Sequence, residues 1–520
     1  MHKIWMIAAL LTIILCGCNP LTLTVACGDV TELKDAIDTA NHNLAPDLIK
    51  LEPGCVYKLS SVDNDVEGSN GLPVITSEIE IDGNGSTIMR VVDSPETQFR
   101  LLHVADDGVL TLRNLTLQNG HAGGSTSGMY PERGGAVLNL GELTIIRSRI
   151  TGNHANLFAG GIYSTGTLMI TESTIDHNEA NPSAGLFNSG NAVITKSAFL
   201  ENGLETGSDG IWTGDGGSLK MSNSTVSGNG GTGIDNEGEL ILNFVTIANN
   251  NNGGILCVSG SVHYKNTLFG PNFPQACNED DEFNPQGTNF DTDGTCQATT
   301  VLPNNLQLLP LADYGGPTMT HALGSTSAAI SAAGSDCLPT DQRGVHRPQG
   351  GGCDVGAYEY DGEQPRPTST ITEIPESVRV ETPTFTSIPL TPRFTATLEV
   401  CRYTAVANVF CRTGPGGPPY HEVDSFLAGQ TAPVFGFSPD RFFVQVEGIH
   451  NLVACYVPLG ESYGLLSGDC EDLPTLNPPP LPPSETPQIE GCTVLQAGGE
   501  TTCVHPCPVG AAPGDACIMP

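Results

Sequence analysis

Between residues 110 and 272 the apolar positions fall into columns that repeat at a long interval, and that regularity predicts most of the architecture. One column holds Leu112, Ile145, Ile170, Ile194, Met221, Leu242 and Tyr264, at successive spacings of 33, 25, 24, 27, 21 and 22 residues. Two residues before each stand Leu110, Leu143, Leu168, Ala192, Leu219, Leu240 and Val262; five after each stand Leu117, Ile150, Ile175, Phe199, Val226, Ile247 and Phe269. An offset of two is strand alternation, so both columns face one interior, and an offset of five carries the chain around a corner to a second inward strand. Three residues further lie Asn153, Asn178, Asn202, Asn229, Asn250 and Asn272. Asn tolerates the left-handed conformation that such corners need, and stacked Asn side chains can bond from rung to rung. Each rung also opens with Gly and an apolar residue, as in Gly135-Ala136, Gly161-Ile162, Gly185-Leu186, Gly210-Ile211, Gly233-Ile234 and Gly254-Ile255, which predicts a third strand. An antiparallel sandwich also alternates, but it carries no register at a whole-rung period. The pattern predicts an all-β chain dominated by a right-handed parallel β-helix, a rod roughly 50 Å long if ten or so rungs rise about 4.8 Å each.

An open β-helix end exposes strand edges and an apolar lumen, so it needs a cap. Asp29-Val30-Thr31 can start a helix whose apolar stripe is Leu33, Ile37 and Ala40, followed by strand-like segments 48–51 and 79–81 and a turn at 82–85. Cys27 and Cys55 flank that helix and are placed to staple it to the first rungs. The rod with its extension is expected over 27–360. Thr, Pro and Ser then take over in a linker, 361–400, followed by short alternating strands in 401–470, a Pro-rich stalk, 471–490, and a Cys-rich segment, 491–520.

The opening residues change the setting. Lys3 precedes an apolar run, 4–15, too short to span a bilayer stably, so 1–17 reads as a signal peptide and 18–26 as a short tether. Leu15-Cys16-Gly17-Cys18 resembles the lipobox of bacterial lipoproteins, which implies lipidation of Cys18, a membrane partner through that lipid, and a place in the cell envelope outside the cytoplasm. Sixteen cysteines stand from Cys18 onward; with Cys18 lipidated, fifteen remain, an odd number, and Cys257 in an apolar run is the expected buried thiol. The disulfide candidates are Cys27, Cys55, Cys277, Cys296, Cys337, Cys353, Cys401, Cys411, Cys455, Cys470, Cys492, Cys503, Cys507 and Cys517. A formal charge of −36 argues against nucleic acid as a partner.

Two resemblances add to this. Residues 311–323, then Thr340-Asp341-Gln342-Arg343-Gly344 and Cys353-Asp354-Val355-Gly356-Ala357-Tyr358-Glu359, resemble the C-terminal extension of the choice-of-anchor Q surface proteins. That family implies a pectate-lyase-like β-helix displayed on the cell surface, and a Cys337–Cys353 pair near the domain's end; Ser331 stands where the family usually has Asp. Residues 401–459 resemble a bacterial SH3-like domain through Val406-Ala407-Asn408-Val409-Phe410-Cys411-Arg412-Thr413-Gly414-Pro415 and Ala454-Cys455-Tyr456-Val457, although both tryptophans usual in that family are missing. Such domains are small barrels that often bind peptidoglycan or peptide.

For chemistry on the rod, the column Asn114, Arg147, Glu172, Lys196, Asn223, Phe244, Asn266 alternates charges in its upper part and reads as a surface ion-pair ladder. Around the next corner His154, Asp176, His177, Glu179 and Glu201 are the available acid–base groups; Glu172, Asp176, His177 and Glu201 are the catalytic candidates. Asn289, Asp291 and Asp293 before Gly294, and Asp63, Asp65 and Glu67 before Gly68, alternate oxygen ligands as calcium loops do, though neither has the closing Glu of an EF-hand. No other cofactor is expected. Two readings follow: a non-catalytic surface protein that binds polysaccharide, peptidoglycan or a surface protein, and an extracellular polysaccharide lyase or glycoside hydrolase working along the rod.

Overall fold

The computed structural model describes residues 19–43, 45–91, 98–123, 127–278 and 283–367, together with strands between Arg402 and Val504. The chain divides into two units, 1–374 and 375–520.

The first unit is a right-handed parallel β-helix with three sheets. In the first sheet Leu112 pairs with Ile145, Ile145 with Ile170, Ile170 with Ile194, and so on through Met221 and Leu242 to Tyr264. In the second, Leu117, Ile150, Ile175, Phe199, Val226, Ile247 and Phe269 pair in the same order. These columns are buried and form one continuous apolar core with the third sheet's Val137, Ile162, Leu186, Ile211, Ile234 and Ile255. The partner of Ile162 is thus Val137, one residue beyond the expected Ala136; the chain there enters through Gly134, in a left-handed conformation. The recurring glycines are needed for close approach: a Cβ on Gly161 would lie 2.3 Å from the carbonyl oxygen of Gly185, and one on Gly185 2.4 Å from that of Gly210.

The Asn column forms a ladder. Each side-chain oxygen accepts from both the backbone and side-chain nitrogens of the Asn one rung earlier, at 2.9–3.1 Å from Asn153 through Asn272. These residues do not themselves take the left-handed conformation expected of them. That geometry belongs to the residue before, as at Gly152, His177, Glu201, Gly228 and Asn249, and to the whole column Asn114, Arg147, Glu172, Lys196, Asn223, Phe244, Asn266, with φ between 45° and 56°. A Ser ladder runs beside it, each hydroxyl of Ser148, Ser173, Ser197 and Ser224 accepting the backbone N–H one rung earlier. Both ladders satisfy inward polar groups that would otherwise be buried without partners.

At the N-terminal end, Asp29 caps the helix Val30–Asn41, whose Leu33, Ala36, Ile37 and Ala40 are buried. The strand Thr22–Val25 pairs with Asp47–Leu51, so part of the expected tether already belongs to the rod. Disulfides join Cys27 to Cys55, Cys277 to Cys296 and Cys337 to Cys353; Cys257 is buried, its Sγ 3.4 Å from Ser259 O.

Past the last rung the chain doubles back and lies on the outer face of the second sheet. Asn223 donates to Thr340 O, Thr225 to Gln342 Oε1, and Ala357 N–H to Thr246 Oγ1; Ser227 Oγ lies 2.9 Å from His321 Nε2. Arg347 sits 4.5 Å over the Phe244 ring and pairs with Glu359 at 2.8 Å, both side chains fully buried. The Asp341-Gln342-Arg343 and Asp354-to-Glu359 motifs are therefore a clasp, and Ser331, left-handed, donates its N–H to Asp354. In the second unit, seven strands from Arg402–Ala405 to Gly464–Ser467 form one antiparallel sheet with Tyr403, Val446 and Val457 buried, and Thr493–Ala497 pairs with Glu500–Val504.

Candidate functional site

Rung stacking brings Asp176, His177 and Glu201 together where the second sheet is uncovered, while Glu172 stands at the preceding corner. Strand Thr174–Asp176 places Asp176 beside Arg149 on the previous rung, and the left-handed corner at His177 turns its imidazole back onto the same carboxylate. Arg149 Nε is 2.9 Å from Asp176 Oδ1, with a second contact from Nη2 to Oδ2. His177 Nδ1 is 2.8 Å from Asp176 Oδ2 and its Nε2 3.0 Å from Glu201 Oε2. Glu172 is taken by Arg147 at 2.7 Å. Hydrogen bonds to Asp176 and then Glu201 push His177 up to about 10 against its own burial, so it is an imidazolium at neutral pH. Burial pushes the Asp176 carboxyl up, but the hydrogen bonds from Arg149 and His177 outweigh it and hold the carboxyl below its ordinary value. Two cations thus hold Asp176 and Glu201 at one corner, and Arg147 holds Glu172 at the other. A clamped imidazolium is a poor base, and a carboxylate with two cationic partners is a poor acid.

His154 and Glu179 lie elsewhere. His154 stacks on His121 of the previous rung, Nδ1 to Nε2 at 3.0 Å, and burial holds both rings below the usual range, His121 at about 4. Glu179 accepts from Glu205 N, Thr206 N and the Thr206 hydroxyl.

Neither candidate calcium loop gathers its oxygens. Asp63 pairs with Lys34 at 3.2 Å, Asp65 accepts from Ser69, and Glu67 accepts from the backbone of Tyr130 at 3.2 Å. Asn289 and Asp291 accept the backbone N–H groups of Thr267 and Cys296, and Asp293 those of Ala276 and Thr295. Among the described residues the one three-residue group of metal-type ligands is Cys27, Glu52 and Cys55, and its two cysteines are joined in a disulfide. Cys18 and the cysteines at 401, 470, 492, 507 and 517 lie outside the described residues, and the side chains of Cys411, Cys455 and Cys503 lie outside them too. No helix among the described residues is long and apolar enough to cross a membrane.

The outer face of the third sheet carries a feature that the sequence columns passed over. Its register stacks His103, Leu138, Tyr163, Phe187, Trp212, Asp235 and Leu256 on successive rungs. Tyr163 and Phe187 lie parallel at 4.7 Å, Phe187 and Trp212 edge-on at 6.0 Å, and Phe158 from a neighbouring loop approaches Phe187 at 4.9 Å and Trp212 at 5.5 Å. Arg133 lies against the rings of Tyr130, Phe158 and Tyr163. At the end of the stripe burial pushes Asp235 up to about 7, with Asp209 and Glu237 adding to it, and burial alone pushes Asp209 up to about 6. The signal was one position away: Tyr163, Phe187, Trp212, Asp235 and Leu256 each directly follow the Gly–apolar pair that marks the third strand, and alternation puts them outside.

A family model described as "Right handed beta helix region" matches residues 100–273. No curated protein and no solved structure matches the chain.

Proposed function

We propose that this chain is a cell-envelope lipoprotein of the choice-of-anchor Q type, tethered through Cys18, whose β-helix serves as a non-catalytic scaffold for binding glycan or wall polymer. On this reading 401–470 is an SH3-like module that adds a second contact to the wall. One observation carries the preference for binding: of the acid–base candidates, Glu172, Asp176 and Glu201 are each held by Arg147, Arg149 or His177.

Retention of the purified chain on envelope polysaccharide and on peptidoglycan, combined with assay of neutral and acidic glycans for unsaturated products and new reducing ends, tests the reading. Retention without turnover is expected. Turnover that disappears in Glu172→Gln, Asp176→Asn or His177→Asn would replace it with the lyase reading. Hydrolysis has one observation of its own, the adjacent raised carboxyls of Asp209 and Asp235, and reducing ends lost in Asp235→Asn would establish it. Mass spectrometry of the mature N-terminus should find diacylglyceryl-modified Cys18; any other first residue removes the lipid anchor.

A further inference from the structure

We infer that the outer face of the third sheet binds an extended, uncharged, hydroxyl-rich glycan chain laid along the rod axis over Phe187 and Trp212, with Asp235 as the polar anchor at one end. The inference rests on the binding reading above and names its site.

The rings do not serve the rod's interior. In the strands that carry them, Ile162, Leu186 and Ile211 point inward into the continuous core, and alternation sends Tyr163, Phe187 and Trp212 to the outside. In a chain only 6% aromatic, three successive rungs present a ring on the same face. Tyr163 is nearly covered by the Tyr130–Arg133 loop, while Phe187 and Trp212 are half-buried beyond its edge, so the loop and Phe158 form a wall and the two outer rings a floor. One face of Phe187 is taken by Tyr163, stacked parallel at 4.7 Å, so the ring offered to the apolar face of a sugar is Trp212, with Phe187 packed beside it.

A second, independent observation points to a polar ligand. Trp212 and Asp235 are directly paired across adjacent rungs, and both Trp212 Nε1 and Asp235 Oδ1 lack a hydrogen-bond partner. Asp235 is 8% exposed. One is a donor and the other an acceptor, and they stand on directly paired residues of the outer face. A hydroxyl both accepts and donates, so one sugar hydroxyl supplies what both groups lack.

The charge around the site selects the class of glycan. Asp209, Asp235 and Glu237 crowd the end of the stripe, and Arg133 is already engaged by three rings and by the Tyr163 hydroxyl at 3.3 Å. A uronate polymer is repelled there; a neutral chain is not. Two rungs span roughly 10 Å, about one disaccharide of an extended β-linked chain, so alternate sugars meet equivalent positions on the rod.

The test uses the full chain carrying Trp5→Phe, which leaves Trp212 as the one tryptophan. Hexamers of β-1,4-linked glucose and of β-1,4-linked N-acetylglucosamine should shift Trp212 emission saturably, and polygalacturonate should not. Phe187→Ala should weaken binding at least tenfold. Phe187→Leu, which keeps an apolar side chain there and so protects the fold, should do nearly the same, and Asp235→Ala should weaken binding several-fold. Undiminished binding by Phe187→Leu overturns the stripe, as does tighter binding of polygalacturonate, or retention on envelope polysaccharide with no Trp212 response; all three leave the binding reading standing. Retention on no glycan at all overturns the binding reading itself.

Discussion

The two ends of one column on the second sheet's corner show what solvent does to an unchanged backbone. Arg147 and Glu172 at one end and Phe244 and Asn266 at the other share the left-handed conformation and the same place in the rung. At the open end the side chains form ion pairs: Arg147 is 61% exposed and pairs with Glu172. At the other end the doubled-back extension excludes water, and the same position holds a ring at 1% exposure under Arg347. Backbone geometry is therefore set by the coil, and side-chain chemistry by what lies over it. The extension brings its own charge indoors only in a fully bonded pair, Arg347–Glu359, with further bonds from Arg347 to the carbonyls of Asp354 and Gly356.

Four measurements of stability in urea or heat test that contrast. Arg347→Ala leaves Glu359 buried without its cation and should cost about 3–5 kcal/mol, the largest effect; a loss below 1 kcal/mol would mean that water reaches the clasp. Next, Phe244→Ala should cost roughly 3 kcal/mol while Arg147→Ala in the same column costs less than about 1 kcal/mol, and equal costs would erase the distinction between covered and open. Asn202→Ala, which removes the shared acceptor of Asn178 N and Nδ2, should cost about 1–3 kcal/mol wherever the extension lies, because the ladder is internal to the coil. The smallest effect is pH dependence at the open end. The His177 value is raised in the fold, so its stabilisation is complete below the unfolded value near 6.5 and fades as pH climbs toward about 10. Melting temperature should fall across that window and flatten in His177→Asn; a similar slope in both proteins would remove the clamp from the account.

The contrast also explains what could be read in advance. Inward columns are legible because every rung obeys one steric rule, and one misaligned rung, at Gly134–Gly135, is where two glycines allow the chain to slip by a residue. The ion patch was legible as a set of residues, but its pairing was not, since Asp176 has the choice of Arg149 on one rung and His177 on its own. The clasp was beyond reach of periodicity: its bonds to the second sheet and its corner join residues 70 to 122 positions apart with no repeat to announce them. The aromatic stripe was missed because outward positions vary from rung to rung, His103 and Leu138 giving no hint of the rings that follow.

The clasp bears on mechanics as well as stability. The chain leaves the first unit from the extension, after Tyr360, and not from the last coil. Tension arriving from downstream therefore meets Arg347–Glu359 and the bonds to Thr246 and Asn266 before it can reach the terminal strands at Phe290 and Thr299. A coil pulled from its last strand would unwind one rung at a time, each step small. With the load entering sideways across several rungs, the bonds yield together or not at all, and the rod behaves as a lashed bundle instead of a spool.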